Sequence, residues 1–159
     1  MKNVSQSTKK PQRLVKKTFI KFICNSVGTK MFRNFYFRQD NKIFDATKGG
    51  ELSCAFYVSG ILVIFGLIKN IHGTVESTKK DLEESGWVKV EQPSSGSVII
   101  WKPSEDDKNR HDHIGFYVGR SMAISNSSSR MKITKHNWTY DNTRKIQAIY
   151  YNSTLDKLI

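Results

Sequence analysis

The longest apolar run in the chain, Ala55 to Ile68, is 14 residues long and is interrupted by Ser59, Gly60 and Gly66. It is too short to span a bilayer, which takes roughly 20 apolar residues, and too long for a strand, so it reads as a buried helix on which the rest must pack. Ser53, a residue type favoured at N-caps, marks its start and places Cys54 in the first turn. A second helix is expected from Thr74 to Ser85, with Thr74 or Ser77 as cap, Glu76 early and Gly86 as the stop. After that the hydrophobic period changes. Trp87–Val90, Val98–Trp101, His113–Gly119, Met122–Asn126, Met131–His136 and Lys145–Tyr151 read as short strand candidates separated by polar turns, with Arg120-Ser121 as a two-residue hairpin. Helices first and strands after imply an α+β fold, with N-terminal helices packed on an antiparallel sheet of about five strands.

Charge divides the chain unevenly. Of the 159 residues, 26 are Lys or Arg and 14 Asp or Glu, for a formal +12, yet residues 1–39 alone hold seven Lys, three Arg and no acid. The remainder, 40–159, is close to neutral, which argues against a nucleic-acid-binding body. Met1 to about Lys17 is polar and basic and reads as a flexible tail. Residues 18–39 interleave Phe19, Phe22, Phe32, Phe35, Tyr36 and Phe37 with Lys and Arg, an amphipathic segment expected to pack on the domain. Residues 1–39 are therefore set apart as a basic head suited to anionic surfaces, and 40–159 as one domain, expected to be monomeric. Cys24 and Cys54 are too few for a disulfide scaffold, and no clear signal peptide is visible. A cytoplasmic location and an unconventional export route both stay open.

A cysteine at a helix N-terminus is chemically loaded, because the helix dipole and unpaired N–H groups favour the thiolate. On that ground the Cys54 pKa is expected to be lowered. A nucleophilic thiol needs an imidazole within reach and a polar group to orient that imidazole. His113, opening a strand of the following sheet, can supply the imidazole, and His111 in the charged loop before it is the alternative. His111-x-His113 has a metal-ligand spacing, but no further ligand accompanies it, so neither metal nor organic cofactor is expected. Cys24 is read as packed, and His136 as a surface strand histidine, with a place in the cleft lining as the alternative.

The segments Ser53-Cys54-Ala55-Phe56-Tyr57-Val58-Ser59, Gly96-Ser97-Val98-Ile99-Ile100-Trp101 and His113-Ile114-Gly115-Phe116-Tyr117-Val118-Gly119 fall in an order that resembles the NlpC/P60 superfamily of papain-like cysteine peptidases and amidases. The resemblance covers about residues 44–151, and Cys54 followed by Phe-Tyr-Val looks more like the CHAP branch. Ser53-Cys54-Ala55-Phe56 departs from the family's common Asp-Cys-Ser-Gly, as Ser95-Gly96-Ser97 does from its Pro-Gly-Asp turn; neither departure removes a catalytic group. The resemblance implies Cys54 as nucleophile, His113 as general base and a third polar residue on the next strand. Counting along the hairpin puts Ser125 at the family's usual position. Asn126 has the better chemistry, since its side-chain oxygen can accept from an imidazole Nδ1–H, and it is the preferred candidate with Ser125 as alternative. The implied substrate is an amide bond in a peptide, such as the stem peptide of peptidoglycan. An acyltransferase or deamidase on the same scaffold, or a non-enzymatic basic module binding membrane or nucleic acid, are the rival readings.

Overall fold

The structure, a computed structural model, describes residues 10–105 and 110–157. Among these, four helices accompany a six-stranded antiparallel sheet and a separate hairpin, an α+β fold. The elements run α1 (Val15–Asn25), β1 (Tyr36–Gln39), β2 (Lys42–Asp45), α2 (Cys54–Ile64), α3 (Val75–Glu84), β3 (Val88–Lys89), β4 (Val98–Trp101), β5 (His113–Gly119), β6 (Met122–Ser127), β7 (Lys132–Asn137), β8 (Ile146–Tyr151) and α4 (Thr154–Lys157). The large sheet has the order β3-β8-β4-β5-β6-β7, and β1 pairs only with β2. The sheet has six strands against about five expected, and β3, inside the Trp87–Val90 candidate, is only two residues long and pairs with Tyr150 and Tyr151 of β8.

The pleat of the sheet sorts its side chains into two cores. Ile100, Ile114, Phe116, Ile124 and Tyr150 pack with Tyr57, Val58, Ile61 and Leu62 of α2. Ile99, Trp101, Ala123 and Ile149 form a smaller cluster, with Tyr117, Trp138 and Tyr140 packed against it. α2 is hydrophobic almost all round because it is covered almost all round, as the apolar run requires. The helix ends before the run does. Gly66 takes φ +66°, its N–H reaches the Val63 carbonyl, and the Leu67 N–H reaches the Leu62 carbonyl, a Schellman motif that turns the chain while keeping Leu67 and Ile68 buried.

α1 shares the larger core. Phe19 and Ile23 are fully buried, and Phe19 meets Phe65 and Phe116 edge-on with ring centroids 5.1 and 5.7 Å apart. The segment read as an amphipathic face is thus packed on the sheet. The expected tail ends sooner than its composition suggested, since Val15–Lys17 are helical and the Lys16 Nζ donates to Tyr151 Oη at 2.8 Å and pairs with Asp156 at 2.5 Å. Residues 1–9 of that tail lie outside the described residues. The boundary drawn between 39 and 40 falls in the turn of the β1–β2 hairpin, where Asp40 and Asn41 both have positive φ.

Asp81 fixes the segment that follows α2. Its carboxylate accepts from the N–H groups of Lys69 (3.0 Å) and Asn70 (2.9 Å) and from Ser85 Oγ (2.9 Å), and it lies 2.8 Å from His72 Nε2. Burial pushes the carboxyl pKa up, but hydrogen bonds from His72, the two amides and Ser85 outweigh it and hold the value at about 2. A depressed carboxylate contributes stability that is present above its unfolded pKa and lost as pH falls through the folded one. Relative to an ordinary aspartate this contribution is about 2 kcal/mol, lost between roughly pH 4 and pH 2. Asp81→Asn is therefore expected to lower the urea-unfolding free energy by about 2 kcal/mol at pH 7, with the gap to wild type narrowing by pH 3. A gap that stays constant across that range would show that the carboxylate charge is irrelevant.

Candidate active site

Cys54 is the first residue of α2, as the capping pattern predicted, and it lines a cleft of about 1460 Å³ together with His113, His136, Tyr140, Arg144 and Asn126. Ser53 occupies the N-cap position but does not cap. Its φ/ψ of −88°/2° lies outside the extended region from which an N-cap hydroxyl reaches the N2 or N3 amide, and its buried Oγ has no partner. The approach to Cys54 is held by Asp45 instead. Its carboxylate accepts from the N–H groups of Phe35 (2.9 Å), Thr47 (3.0 Å) and Gly49 (2.8 Å) and from Asn34 Nδ2 (2.8 Å). These bonds, with one from the Thr47 hydroxyl, override the effect of burial and hold the Asp45 pKa far below the usual carboxylate range.

His113, the first residue of β5, is 6% exposed. Its Nε2 lies 2.9 Å from Ser125 Oγ, and Ser125 in turn touches His136 Nε2 at 2.8 Å and Tyr140 Oη at 3.1 Å. Trp101 closes this cluster from below, its ring centroid 5.6 Å from His113, 5.7 Å from His136 and 5.3 Å from Tyr140, with its Nε1–H held by the Trp138 carbonyl. His136 stacks on Tyr140 with centroids 4.0 Å apart, and Arg144 lies over the Tyr140 ring.

The residue that meets the imidazole is therefore Ser125, and the ring nitrogen concerned is Nε2, not Nδ1. Asn126, the preferred sequence candidate, points the other way and donates from Nδ2 to the Gly50 carbonyl at 2.8 Å, tying β6 to the loop before Cys54. A bulge explains the reversal. Gly119 pairs with Met122, but Tyr117 pairs with Ala123 and Gly115 with Ser125, so the register slips by one residue after the turn. Because side chains alternate with period two, that slip moves Ser125 onto the face of His113 and Asn126 onto the face of α2. His111 and Asp112 also line the cleft. His136 lines the cleft and belongs to the cluster, the alternative reading and not the preferred surface one. Tyr140 and Arg144, in and after a polar turn, carried no sequence signal. Among the described residues no group of three His, Cys, Asp or Glu side chains is placed to hold a metal.

The β5–β6 ladder begins at Gly115↔Ser125, so Ile114 and His113 lie beyond its end. There the Cys54 sulfur meets β5. Burial raises the thiol pKa, against the lowering expected from the helix N-terminus; hydrogen bonds from the Ile114 and Ala55 amides and the charge of Arg144 oppose the rise without cancelling it. Burial, with Arg144 and His136 adding to it, holds His113 well below the ordinary histidine value. Both shifts favour the uncharged form, the thiol of Cys54 and the imidazole of His113. No family model matches the chain and no curated protein matches it.

A raised thiol pKa has a direct readout. Iodoacetamide labelling of Cys54, followed by peptide mapping to separate it from Cys24, is expected to be slow at pH 7 and to accelerate about tenfold per pH unit up to pH 9. A rate already level below pH 7 would show a thiolate at rest and overturn the assignment.

Proposed function

We propose that the chain is a cysteine hydrolase of the papain-like NlpC/P60 kind, nearest the CHAP branch, that cleaves an amide bond in a peptide such as the stem of peptidoglycan. The observation that carries this reading is the meeting of α2 and β5. Cys54 opens the helix, its sulfur is hydrogen-bonded by the first amide past His113, and the Nε2 of that histidine is taken by Ser125, so that Nδ1 is the ring nitrogen left to act as base. A nucleophile and a base on two different elements line one cleft, and the orienting Ser125, on a third, is hydrogen-bonded to the base.

With both groups neutral at rest, the thiol proton passes to His113 Nδ1 as the sulfur attacks the carbonyl carbon. The S–C bond forms and the carbonyl π pair moves onto oxygen. The N–H groups of the first turn of α2, which have no carbonyl within the helix to accept them, favour that oxyanion. Collapse breaks the C–N bond, and the imidazolium returns its proton to the leaving amine. Water, deprotonated by His113, then attacks the thioester, releases the acid and restores the thiol. No redox step or cofactor enters this sequence. The exposed Lys10, Arg13, Lys17 and Lys21, on and before α1, support contact with an anionic surface, and a monomer suffices for the reaction.

The test is full-length protein incubated with defined stem peptides and with intact sacculi, the products read by mass spectrometry. New amine and carboxylate termini that are absent with Cys54→Ser support the reading; products formed equally well by Cys54→Ser overturn it. On a cleaved substrate, Ser125→Ala is expected to reduce kcat roughly 10- to 1000-fold with little change in fold. Asn126→Ala should act mainly on stability, by about 1–3 kcal/mol, because it leaves the buried Gly50 carbonyl without its donor. The reverse pattern, with Asn126→Ala stable but inactive and Ser125→Ala active, would return the orienting role to Asn126.

A further inference from the structure

A serine hydroxyl has one proton to donate and two lone pairs to accept with, and Ser125 Oγ has three partners, so the direction of each bond can be worked out. The count starts at β7. His136 Nδ1 lies 2.8 Å from the Asn137 carbonyl, which can only accept, so Nδ1 carries the proton. In the neutral ring Nε2 is then an acceptor, and the only hydrogen it can take at 2.8 Å is that of Ser125. With its proton committed to His136, Ser125 can only accept from its other partners. Tyr140 Oη–H fills one lone pair at 3.1 Å and His113 Nε2–H fills the other at 2.9 Å. Every bond is satisfied, and the solution is unique for neutral rings.

We infer that His136 is a positioning residue, which acts through Ser125 to hold His113 in its Nε2–H tautomer and so leave the Nδ1 lone pair free to take a proton. The geometry makes this a directed relay: the Asn137 carbonyl sets His136, His136 sets Ser125, and Ser125 sets His113. Without His136 as acceptor the Ser125 proton is released, and it can be donated to His113 Nε2. The ring would then carry its proton on Nδ1, where it cannot take one from Cys54. The catalytic meaning of the relay rests on the reading of Cys54 and His113 as nucleophile and base; the tautomers themselves do not.

The test is the long-range ¹H–¹⁵N spectrum of full-length protein labelled at histidine, recorded at a pH where the rings are neutral. The four histidines are assigned by single Gln substitutions. In wild type, His136 is expected as the Nδ1–H form and His113 as the Nε2–H form. In His136→Phe, which keeps an aromatic ring to stack on Tyr140 but has no acceptor, His113 should shift toward Nδ1–H and kcat should fall roughly 10- to 100-fold with KM little changed. His136→Gln, whose Oε1 can accept from Ser125, should restore both the tautomer and most of the rate. A wild-type His113 carrying its proton on Nδ1 overturns the relay, as does an unchanged His113 tautomer in a folded His136→Phe. The wild-type spectrum decides the matter even where the Phe variant does not fold. Tautomers as expected in a protein that cleaves no amide uphold the relay and overturn the hydrolase reading.

Discussion

At Gly115 the backbones of β5 and β6 approach so closely that a Cβ would lie 2.7 Å from the Cβ of Ser125 and 2.8 Å from the Ile124 carbonyl oxygen, with the Trp101 ring 3.1 Å away. No side chain fits there. The space a larger residue would take is used by Ser125 and Trp101, which lean over the strand from either side and meet His113 on the same face. Only one residue separates His113 from Gly115, so the pleat that directs the imidazole to this face also puts the bare position beside it. The intervening Ile114 faces the helix, where its side chain packs with α2 and its amide serves the sulfur. One strand thus gives the helix its packing surface and the opposite face its polar cluster.

How much of this can be read from residues alone depends on the distance over which each signal acts. The buried helix, its start at Cys54, the strand His113–Gly119 and the Arg120-Ser121 turn are local, written in period and turn chemistry, and the structure has them where the pattern puts them. Both β3 and β8 fall inside strand candidates, but their pairing and the two-residue length of β3 are less legible, because so short a strand exists only through its partner. Ser125 and Asn126 are adjacent, and parity alone separates them. Without the bulge, the turn would align Gly115 with Asn126, and the preference for Asn126 would have matched the geometry. Gly119, with φ +94°, is the residue that allows the slip, yet a glycine beside a hairpin turn reads equally well as part of the turn. The Cys54 pKa fails for another reason. The helix N-terminus does favour the thiolate, but the burial that opposes it comes from β5, some sixty residues along the chain, and no local pattern announces it.

Two aspartates do for the loops what the sheet does for the core. Asp45 gathers the backbone before α2 and Asp81 the backbone after it, each by accepting several main-chain hydrogen bonds. Both segments border the cleft, Asp45 to Lys48 on one side of the chain's first pass and Ile71 to Thr74 after the second. Irregular backbone at a cleft edge has no ladder to satisfy it, and a carboxylate with four acceptor sites is a compact substitute. The resulting walls are ordered by charge, while the floor is ordered by packing.

Tyr140, Asp141 and Asn142 run consecutively through the left-handed region, with φ of 52°, 54° and 64°. Without glycine, each such residue costs about 1 kcal/mol or more. Thr139, itself held by Asn137 Oδ1, restrains the turn by accepting from the Asn142 amide. The turn is what carries the Tyr140 hydroxyl to Ser125. Relaxing it gives back backbone energy, whereas displacing His136 or His113 would break a regular ladder. The tyrosine contact is therefore the member of the cluster held at the greatest backbone cost, a coiled spring in the chain set against the unstrained sheet beneath it.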